Sequence, residues 1–242
     1  MYTKEMEQLR LEYVMLEQLS ESDSPLGATT LVLTLGKEFA LSQASIGRKL
    51  MEFDLLGYTE NKGKKGRMIA EEGRKRLGEL ERQLNQYQGN ARLLEALNDD
   101  DEKSLLDLLI ARRAMERETA ALAASNASSE QTGQLWDSIL EQEKVLHEGG
   151  IPVAEDREFH RRIAQIADNR ILLHALELVW SEGAGLPATA MIRKSVGREL
   201  VVDHRRIVRC IESGSPDEAA DAMVAHIDQM IEDVKLYFEG LA

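Results

Sequence analysis

The sequence predicts a mostly α-helical protein with an N-terminal winged helix-turn-helix (three helices plus a small β-hairpin) and a C-terminal all-helical antiparallel bundle. Helix is favoured over sheet because the chain has only 4 Pro and long stretches rich in Ala, Leu, Glu and Arg. Three short helical patterns followed by a basic hairpin pattern are the layout of a winged helix-turn-helix. Helical patterns fill the remainder of the chain and predict the bundle.

Each element of the N-terminal domain follows from its local sequence. Residues 9–19 have the apolar spacing of a first helix, and residues 29–39 form a second helix after a loop of Ser, Asp, Pro and Gly. The third helix begins at Ser42, a candidate N-cap, and is stopped by Gly57. The segment 58–69 then predicts a β-hairpin with a Gly- and Lys-rich tip.

A helical linker over residues 77–103 is expected to lead into a bundle over residues 104–242. The predicted bundle helices cover 104–126, 129–148, 152–167, 169–182, 187–212 and 216–238. Gly197 is a candidate break in the fifth of them. The last helix has the best-defined start, because the segment Ser215 to Glu218 offers an N-cap serine, a first-turn proline and an acidic third residue.

The net charge of −13 is unevenly distributed. Residues 1–76, the expected winged domain, carry 12 basic and 12 acidic side chains, so the excess acidity belongs to the rest of the chain. Within residues 42–76 there are 9 basic side chains against 5 acidic ones. Such a basic stretch beside an acidic region is expected for a small DNA-binding domain joined to an acidic regulatory domain.

Two observations bear on the cellular compartment. The sequence has no apolar run near the roughly 18 residues of a membrane span, and its charged N-terminus lacks a signal-peptide core. Cys210 is the only cysteine, which excludes an internal disulfide and fits a reducing compartment. We therefore expect a cytoplasmic protein without a membrane partner.

The third helix and the hairpin supply the residues expected to contact double-stranded DNA. Side chains at the start of a recognition helix reach base edges, where Gln pairs with adenine and Arg or Lys with guanine or phosphate. Lysines at the hairpin tip suit phosphate or minor-groove contact. The candidate residues are Ser42, Gln43, Ser45, Arg48, Lys49, Lys62, Lys64, Lys65 and Arg67. A solvated charged turn on a structural domain is the alternative interpretation.

Three predicted bundle helices place metal-binding side chains where an apolar stripe would otherwise continue. Asp156 and His160 have i,i+4 spacing on one helix face. His204 and His226 lie 10 and 12 residues from the turn at Gly214, so both fall roughly 15 to 18 Å from it on antiparallel helices. The four predict a divalent metal site, with zinc as the first choice and nickel or manganese as alternatives. The alternative interpretation is that no metal binds and that each histidine lies in the core with its own hydrogen-bond partner.

From Leu105 onward the chain resembles the ligand-binding FCD domain of FadR-type GntR transcription regulators. The matching stretches are Arg112–Glu116 with Ala120–Ala124, Asp156–His160, Asp168–Asn169, Asp203–Arg205 and Ala225–His226. Family members with this pattern carry a divalent ion that helps to bind a small carboxylate. The resemblance therefore implies that Asp156, His160, His204 and His226 bind the metal and that Arg112 and Asn169 bind the effector. A pair with Glu116 and a helix cap are the alternative roles of Arg112 and Asn169.

The N-terminal half departs from the family pattern at two places. Gly27–Thr30 replaces the usual Pro-Ser-Glu-Arg motif at the start of the second helix. Gln43 stands where an arginine usually follows the recognition-helix serine. The operator sequence is therefore not carried over from the family.

These observations predict a transcription regulator, not an enzyme, whose operator binding is modulated by a metal-bound small organic acid. A homodimer is expected, because one recognition helix and one wing give too little contact with DNA for a specific site. Two-fold symmetry supplies a second recognition helix and wing for a second half-site. A metal-dependent hydrolase that uses the Asp and His ligands is the alternative function, since such a site also activates water.

Overall fold

The computed structural model describes residues 4–180, 186–197 and 202–240, and they are mostly helical, as predicted. The chain forms two compact units, residues 1–92 and 93–242. Among the described helices, none combines the length and the apolar character that crossing a bilayer requires.

The first unit has the predicted order of three helices and a hairpin. Its elements are α1 (Lys4–Glu21), α2 (Ala28–Leu35), α3 (Gln43–Leu55), β1 (Thr59–Asn61) and β2 (Arg67–Ile69). Leu16, Leu31, Leu50 and Phe53 are fully buried where the helices meet. This arrangement is a winged helix-turn-helix, in which α3 occupies the recognition position.

Local chemistry sets the ends of these elements. The Ser42 side chain accepts a hydrogen bond from the Ser45 N–H, which confirms the predicted cap of α3, and Gly57 ends α3 with a φ of 73°. The second helix is shorter than predicted, because a turn follows Leu35 and Ala40 adopts a left-handed φ of 51°.

The hairpin is fastened to the loop before α2 by a backbone bridge. Leu26 and Arg67 exchange two N–H···O hydrogen bonds of 2.9 Å each. Gly66 beside this bridge has a φ of 116°, and a Cβ there would meet the Leu26 carbonyl carbon at 2.5 Å. Only glycine fits this position, and the close contact it allows holds the start of β2 against the loop before α2.

Helix α4 (Glu71–Asn98) begins in the first unit, and its last turns belong to the second. The bundle helices are α5 (Glu102–Asn126), α6 (Ser129–His147), α7 (Val153–Ile166), α8 (Arg170–Val179), α9 (Leu186–Ser195), α10 (Val202–Glu212) and α11 (Pro216–Phe238). The predicted helix 187–212 is divided between α9 and α10, with Gly197 at a φ of 73° after α9. The end of the predicted helix 169–182 lies outside the described residues beyond position 180.

The bundle core lies between α5, α7, α10 and α11. Leu109, Ile163, Ile207 and Ile227 are fully buried there. One predicted detail is wrong: Ser215 occupies the N-cap position of α11 but its side chain makes no capping hydrogen bond. Its hydroxyl lies 3.1 Å from that of Ser213 instead.

Candidate functional site

Three buried histidines from three helices meet inside the bundle. His160 lies on α7, His204 on α10 and His226 on α11, and their ligand nitrogens all lie within 4.8 Å of one another. The Nε2 atoms of His204 and His226 are 3.4 Å apart. Because α10 and α11 run antiparallel from the turn at Gly214, residues at similar distances from that turn stand side by side.

Asp156 joins this cluster from the helical turn before His160. Its Oδ1 lies 3.4 Å from Nε2 of His204 and 3.9 Å from Nε2 of His160. Its side chain is 20% exposed, whereas the three imidazoles are buried. The structure thus brings the four predicted metal ligands together, and Asp156 is the member that solvent reaches.

The outer nitrogen of every imidazole in the cluster faces an acceptor. The Nδ1 pairs are His160 with Glu116 Oε2 (2.6 Å), His204 with Gln142 Oε1 (2.8 Å) and His226 with Asp203 Oδ2 (3.5 Å). An imidazole whose Nδ1 proton is directed outward presents the lone pair of Nε2 inward. Carboxylate and amide oxygens behind the ligands orient metal-binding histidines in this way.

Burial keeps two of these imidazoles neutral. It lowers the pKa of His204 well below the usual value, and the neighbouring His226 and His160 lower it further. Burial also lowers the pKa of His226 to about 4, although Asp203 opposes that shift. Neutral imidazoles have the free lone pair that a metal ion requires.

Glu116 is a buried carboxylate with three partners. Its Oε1 accepts hydrogen bonds from Arg112 Nε at 2.6 Å and from Trp180 Nε1 at 3.2 Å, while Oε2 faces His160. Burial favours the protonated form of Glu116, but Arg112 and His160 outweigh it and hold the pKa of this carboxyl below its usual value. Glu116 therefore stays ionised and connects Arg112 to a histidine of the cluster.

The two predicted effector-binding residues have other contacts. Arg112 is 1% exposed and forms the buried ion pair with Glu116 that was its alternative role. The Asn169 side chain accepts hydrogen bonds from the N–H groups of Ile171 and Leu172 at 3.1 and 3.2 Å, and it therefore caps α8. The cap is the alternative role predicted for Asn169 and follows from its position before α8, and effector binding by Asn169 stays a prediction.

A second buried arginine lies on α9 and was not singled out from the sequence. Arg193 is 2% exposed; its Nε is 3.2 Å from Asp233 Oδ2 and its Nη2 is 3.6 Å from Asp203 Oδ2. Asp203 thus faces both Arg193 and His226. No local motif marks Arg193 or Gln142, because their partners come from other helices.

The candidate DNA-contacting residues of α3 lie at its exposed start. Gln43 is exposed, and its Nε2 donates to Thr29 Oγ1 at 2.9 Å. Arg48 is exposed one turn later and donates to Ser45 Oγ at 3.1 Å. Lys49 is half-buried and pairs with Glu52 on the same helix, and Ser42 is the cap.

The wing residues divide into two groups. Lys62, Lys64 and Lys65 are exposed around the tip, where Lys62 pairs with Glu60 at 2.6 Å. Arg67 is half-buried and has a contact that the sequence did not predict. Its Nε and Nη2 each lie 2.9 Å from Asp54 Oδ2, so its guanidinium fastens the wing to α3.

Comparison with known proteins gives the family. Residues 107–229, more than half of the chain, match the FCD domain. The chain belongs to the GntR family of transcription regulators with an FCD domain. The resemblance seen in the sequence is thereby confirmed. All three histidines of the cluster lie within the matched residues.

Similar proteins agree with this family. The HTH-type transcriptional regulator LutR of Bacillus subtilis strain 168 is 24% identical over 213 residues, which cover 86% of this chain and 91% of LutR. The Uxu operon regulator of Haemophilus influenzae is 24% identical over 136 residues, 54% of this chain and 50% of that protein. The structure of E. coli McbR/YncC shares the fold, with a TM-score of 0.51 and 12% identity over 98% of this chain and 100% of the other. GntR regulators are not enzymes, so the alternative of a metal-dependent hydrolase is dropped.

Proposed function

We propose that this GntR regulator binds a divalent metal ion through Asp156, His160, His204 and His226, and that a small carboxylate bound at the ion changes its affinity for operator DNA. The observation that carries the proposal is the orientation of the imidazoles: ligand nitrogens converge while each Nδ1 faces an acceptor. Histidines that are only packed in a core are not expected to have their Nε2 sides converging and their Nδ1 sides facing acceptors.

The charges around the cluster support a divalent cation. The carboxyl groups are those of Glu116, Asp156, Asp203 and Asp233, and the guanidiniums are those of Arg112 and Arg193. Arg112 pairs with Glu116 and Arg193 pairs with Asp233, whereas the Asp156 carboxylate lies beside the Nε2 atoms of His204 and His160. A divalent cation at the point where the imidazoles converge would be attracted by this negative charge.

Zinc is the proposed ion, with nickel or manganese as alternatives. Three imidazoles and one carboxylate are a donor set typical of first-row divalent metals, and further coordination positions can accept a ligand. The bound ion would supply a positive centre for a carboxylate. The protein's own contribution is to keep His204 and His226 neutral and to orient all three imidazoles.

Operator binding is assigned to residues 1–76, effector sensing to residues 104–242 and the connection between them to residues 77–103. The proposed DNA contacts are Ser42, Gln43, Ser45, Arg48, Lys49, Lys62, Lys64 and Lys65. Because one winged helix contacts only a short site, we propose that a homodimer binds two half-sites. The protein would act in the cytoplasm, where operator DNA is found.

The metal assignment is tested by His204→Ala with His147→Ala as the matched control, since His147 is exposed at the end of α6. Each protein is loaded with zinc and dialysed, and its metal content is measured by elemental analysis. We expect His204→Ala to weaken zinc binding by more than the roughly 10- to 100-fold that loss of a supporting partner costs. Equal metal content in both variants, at matched helical content by circular dichroism, would refute the assignment.

A further inference from the structure

The first residue of the recognition helix is bonded to the start of the preceding helix. Gln43 is the first residue of α3 and Thr29 is the second residue of α2, and both side chains are exposed. The Gln43 Nε2 donates a hydrogen bond of 2.9 Å to Thr29 Oγ1. The two helices lie close together here, because a Cβ at Gly47 would be 3.9 Å from that of Ala28. The contact therefore joins exposed side chains of two different helices.

Both members of this pair stand where the sequence departs from the GntR pattern. Thr29 replaces the glutamate of the usual Pro-Ser-Glu-Arg motif, and Gln43 replaces the arginine that usually follows the recognition-helix serine. An acidic and a basic residue are thus replaced together by a hydroxyl and an amide, which contact each other. Because arginine favours guanine and glutamine favours adenine, this change alters the base that the helix position can recognise.

The hydrogen bond leaves the Gln43 amide with the groups that adenine requires. An amide has two N–H donors and one acceptor oxygen, and the Thr29 hydroxyl engages one of the donors. The second N–H and Oε1 of this exposed side chain remain for DNA. In the major groove adenine offers N7 as an acceptor and N6–H as a donor, whereas guanine offers two acceptors. The amide can therefore bind adenine through two hydrogen bonds while it stays bonded to Thr29.

The Gln43 side chain is long and flexible, so its amide takes one position only if a neighbour restrains it. A side chain that is already restrained loses less conformational entropy when it binds a ligand. The backbone at Gln43 is held separately, since Ser42 caps α3 by accepting a hydrogen bond from the Ser45 N–H. The Thr29 hydroxyl therefore adds a restraint on the amide that the helix cap does not provide.

We infer that Thr29 is a positioning residue for DNA recognition and that the Thr29–Gln43 pair selects an A·T base pair in each half-site. The inference rests on the DNA contact of Gln43 in the proposed function above. Thr29 acts through the amide and does not have to touch a base itself. The operator of this regulator therefore differs, at the base pair that faces Gln43, from operators in which an arginine reads guanine at that position.

The experiment first selects duplexes from a random-sequence DNA library, with the whole chain and with its Gln43→Ala variant. The base pair read by Gln43 is the one at which the preference of the two proteins differs. Affinities for a set of duplexes that carry each base pair at that position are then measured by fluorescence anisotropy. The wild-type protein should prefer A·T over G·C there by about 5- to 150-fold, the range that corresponds to one bidentate contact.

Variants of Thr29 test the positioning role. Thr29→Val removes the hydroxyl and keeps the branched shape, and we expect it to reduce the A·T preference at least about fivefold. Thr29→Ala should behave in the same way, whereas Thr29→Ser keeps the hydroxyl and should retain the preference. Thr30→Val is the matched control, since Thr30 is the exposed neighbour in α2 and undergoes the same chemical change. The melting temperature and the affinity for unrelated DNA should stay close to the wild-type values in every variant.

The outcomes separate the two claims. If no sequence is selected, or if Gln43→Ala weakens binding to all duplexes equally, the proposed contact of Gln43 is wrong and this inference is wrong with it. If Gln43 contributes a preference for a base pair other than A·T, the assigned base is wrong. A wild-type preference in the folded Thr29→Val and Thr29→Ala proteins would overturn the role of Thr29. The same holds if Thr29→Val changes the base preference equally in a Gln43→Ala background, because Thr29 would then act independently of the amide.

Discussion

Replacing Glu116 by glutamine should destabilise the second unit severely, although the two side chains have nearly the same shape. The carboxylate accepts hydrogen bonds from Arg112 and Trp180 and faces the Nδ1 of His160 at 2.6 Å. Glutamine removes the negative charge and leaves the guanidinium of Arg112, which is 1% exposed, without its counter-ion.

The magnitude follows from this burial. Removing one partner of a buried ion pair costs about 3 to 5 kcal/mol, because the other charge is left uncompensated. The free energy of unfolding of a typical domain is about 5 to 15 kcal/mol, so the loss is a large part of it. Zinc affinity should also fall by about 10- to 100-fold, because His160 loses the carboxylate behind its outer nitrogen.

The assay is urea unfolding of the metal-free protein followed by tryptophan fluorescence. Both tryptophans, Trp136 and Trp180, belong to the second unit, so the signal reports that unit. Glu118→Gln is the matched control, since Glu118 is exposed on the same helix and should change stability by no more than about 0.5 kcal/mol. A Glu116→Gln protein within about 1 kcal/mol of the wild type would refute the reasoning, since it would mean that Arg112 finds an equal partner elsewhere.

Three predictions concern the DNA-binding unit, each measured by operator titration at several salt concentrations. Replacing Lys64 and Lys65 by Ala should weaken binding to all sequences and reduce the salt slope by about 1 to 2, because each lost phosphate contact releases about one counterion fewer; an unchanged slope would place the wing away from DNA. Gln43→Ala should cost about 1 to 3 kcal/mol on the operator and little on unrelated DNA; an equal loss on both would argue against base recognition. Arg67→Ala should leave the salt slope unchanged; in a separate thermal unfolding measurement it should lower the melting temperature of the protein, because Asp54 loses its ion-pair partner. A slope reduced as much as by the lysine variants would mean that Arg67 contacts phosphate.

Much of the fold was predictable because its signals are local. The cap at Ser42, the stop at Gly57 and the break near Gly197 each depend on a few neighbouring residues. The approach of His204 to His226 follows from their similar distance to a single turn. These features need only helical geometry and turn chemistry.

The supporting contacts of the site were not predictable in the same way. Gln142 meets His204 across 62 residues of sequence, and the contact exists only once α6 and α10 pack together. The ion pair of Arg67 with Asp54 likewise depends on how the wing folds back against α3. Side-chain type predicted a DNA contact for Arg67, but it gave no sign of the ion pair with Asp54.

The histidine cluster draws its members from α7, α10 and α11, and their supporting acceptors from α5, α6 and α10. Along the sequence, Asp156 and His160 are four residues apart, whereas His204 and His226 are far from them and from each other. An ion at the proposed site would therefore bind the native state and leave the unfolded chain nearly unbound. Each tenfold rise in free ion concentration above the dissociation constant would then add about 1.4 kcal/mol to the free energy of unfolding. The cellular level of the folded regulator, and its resistance to proteolysis, would in this way follow the supply of the metal as well as the presence of the effector.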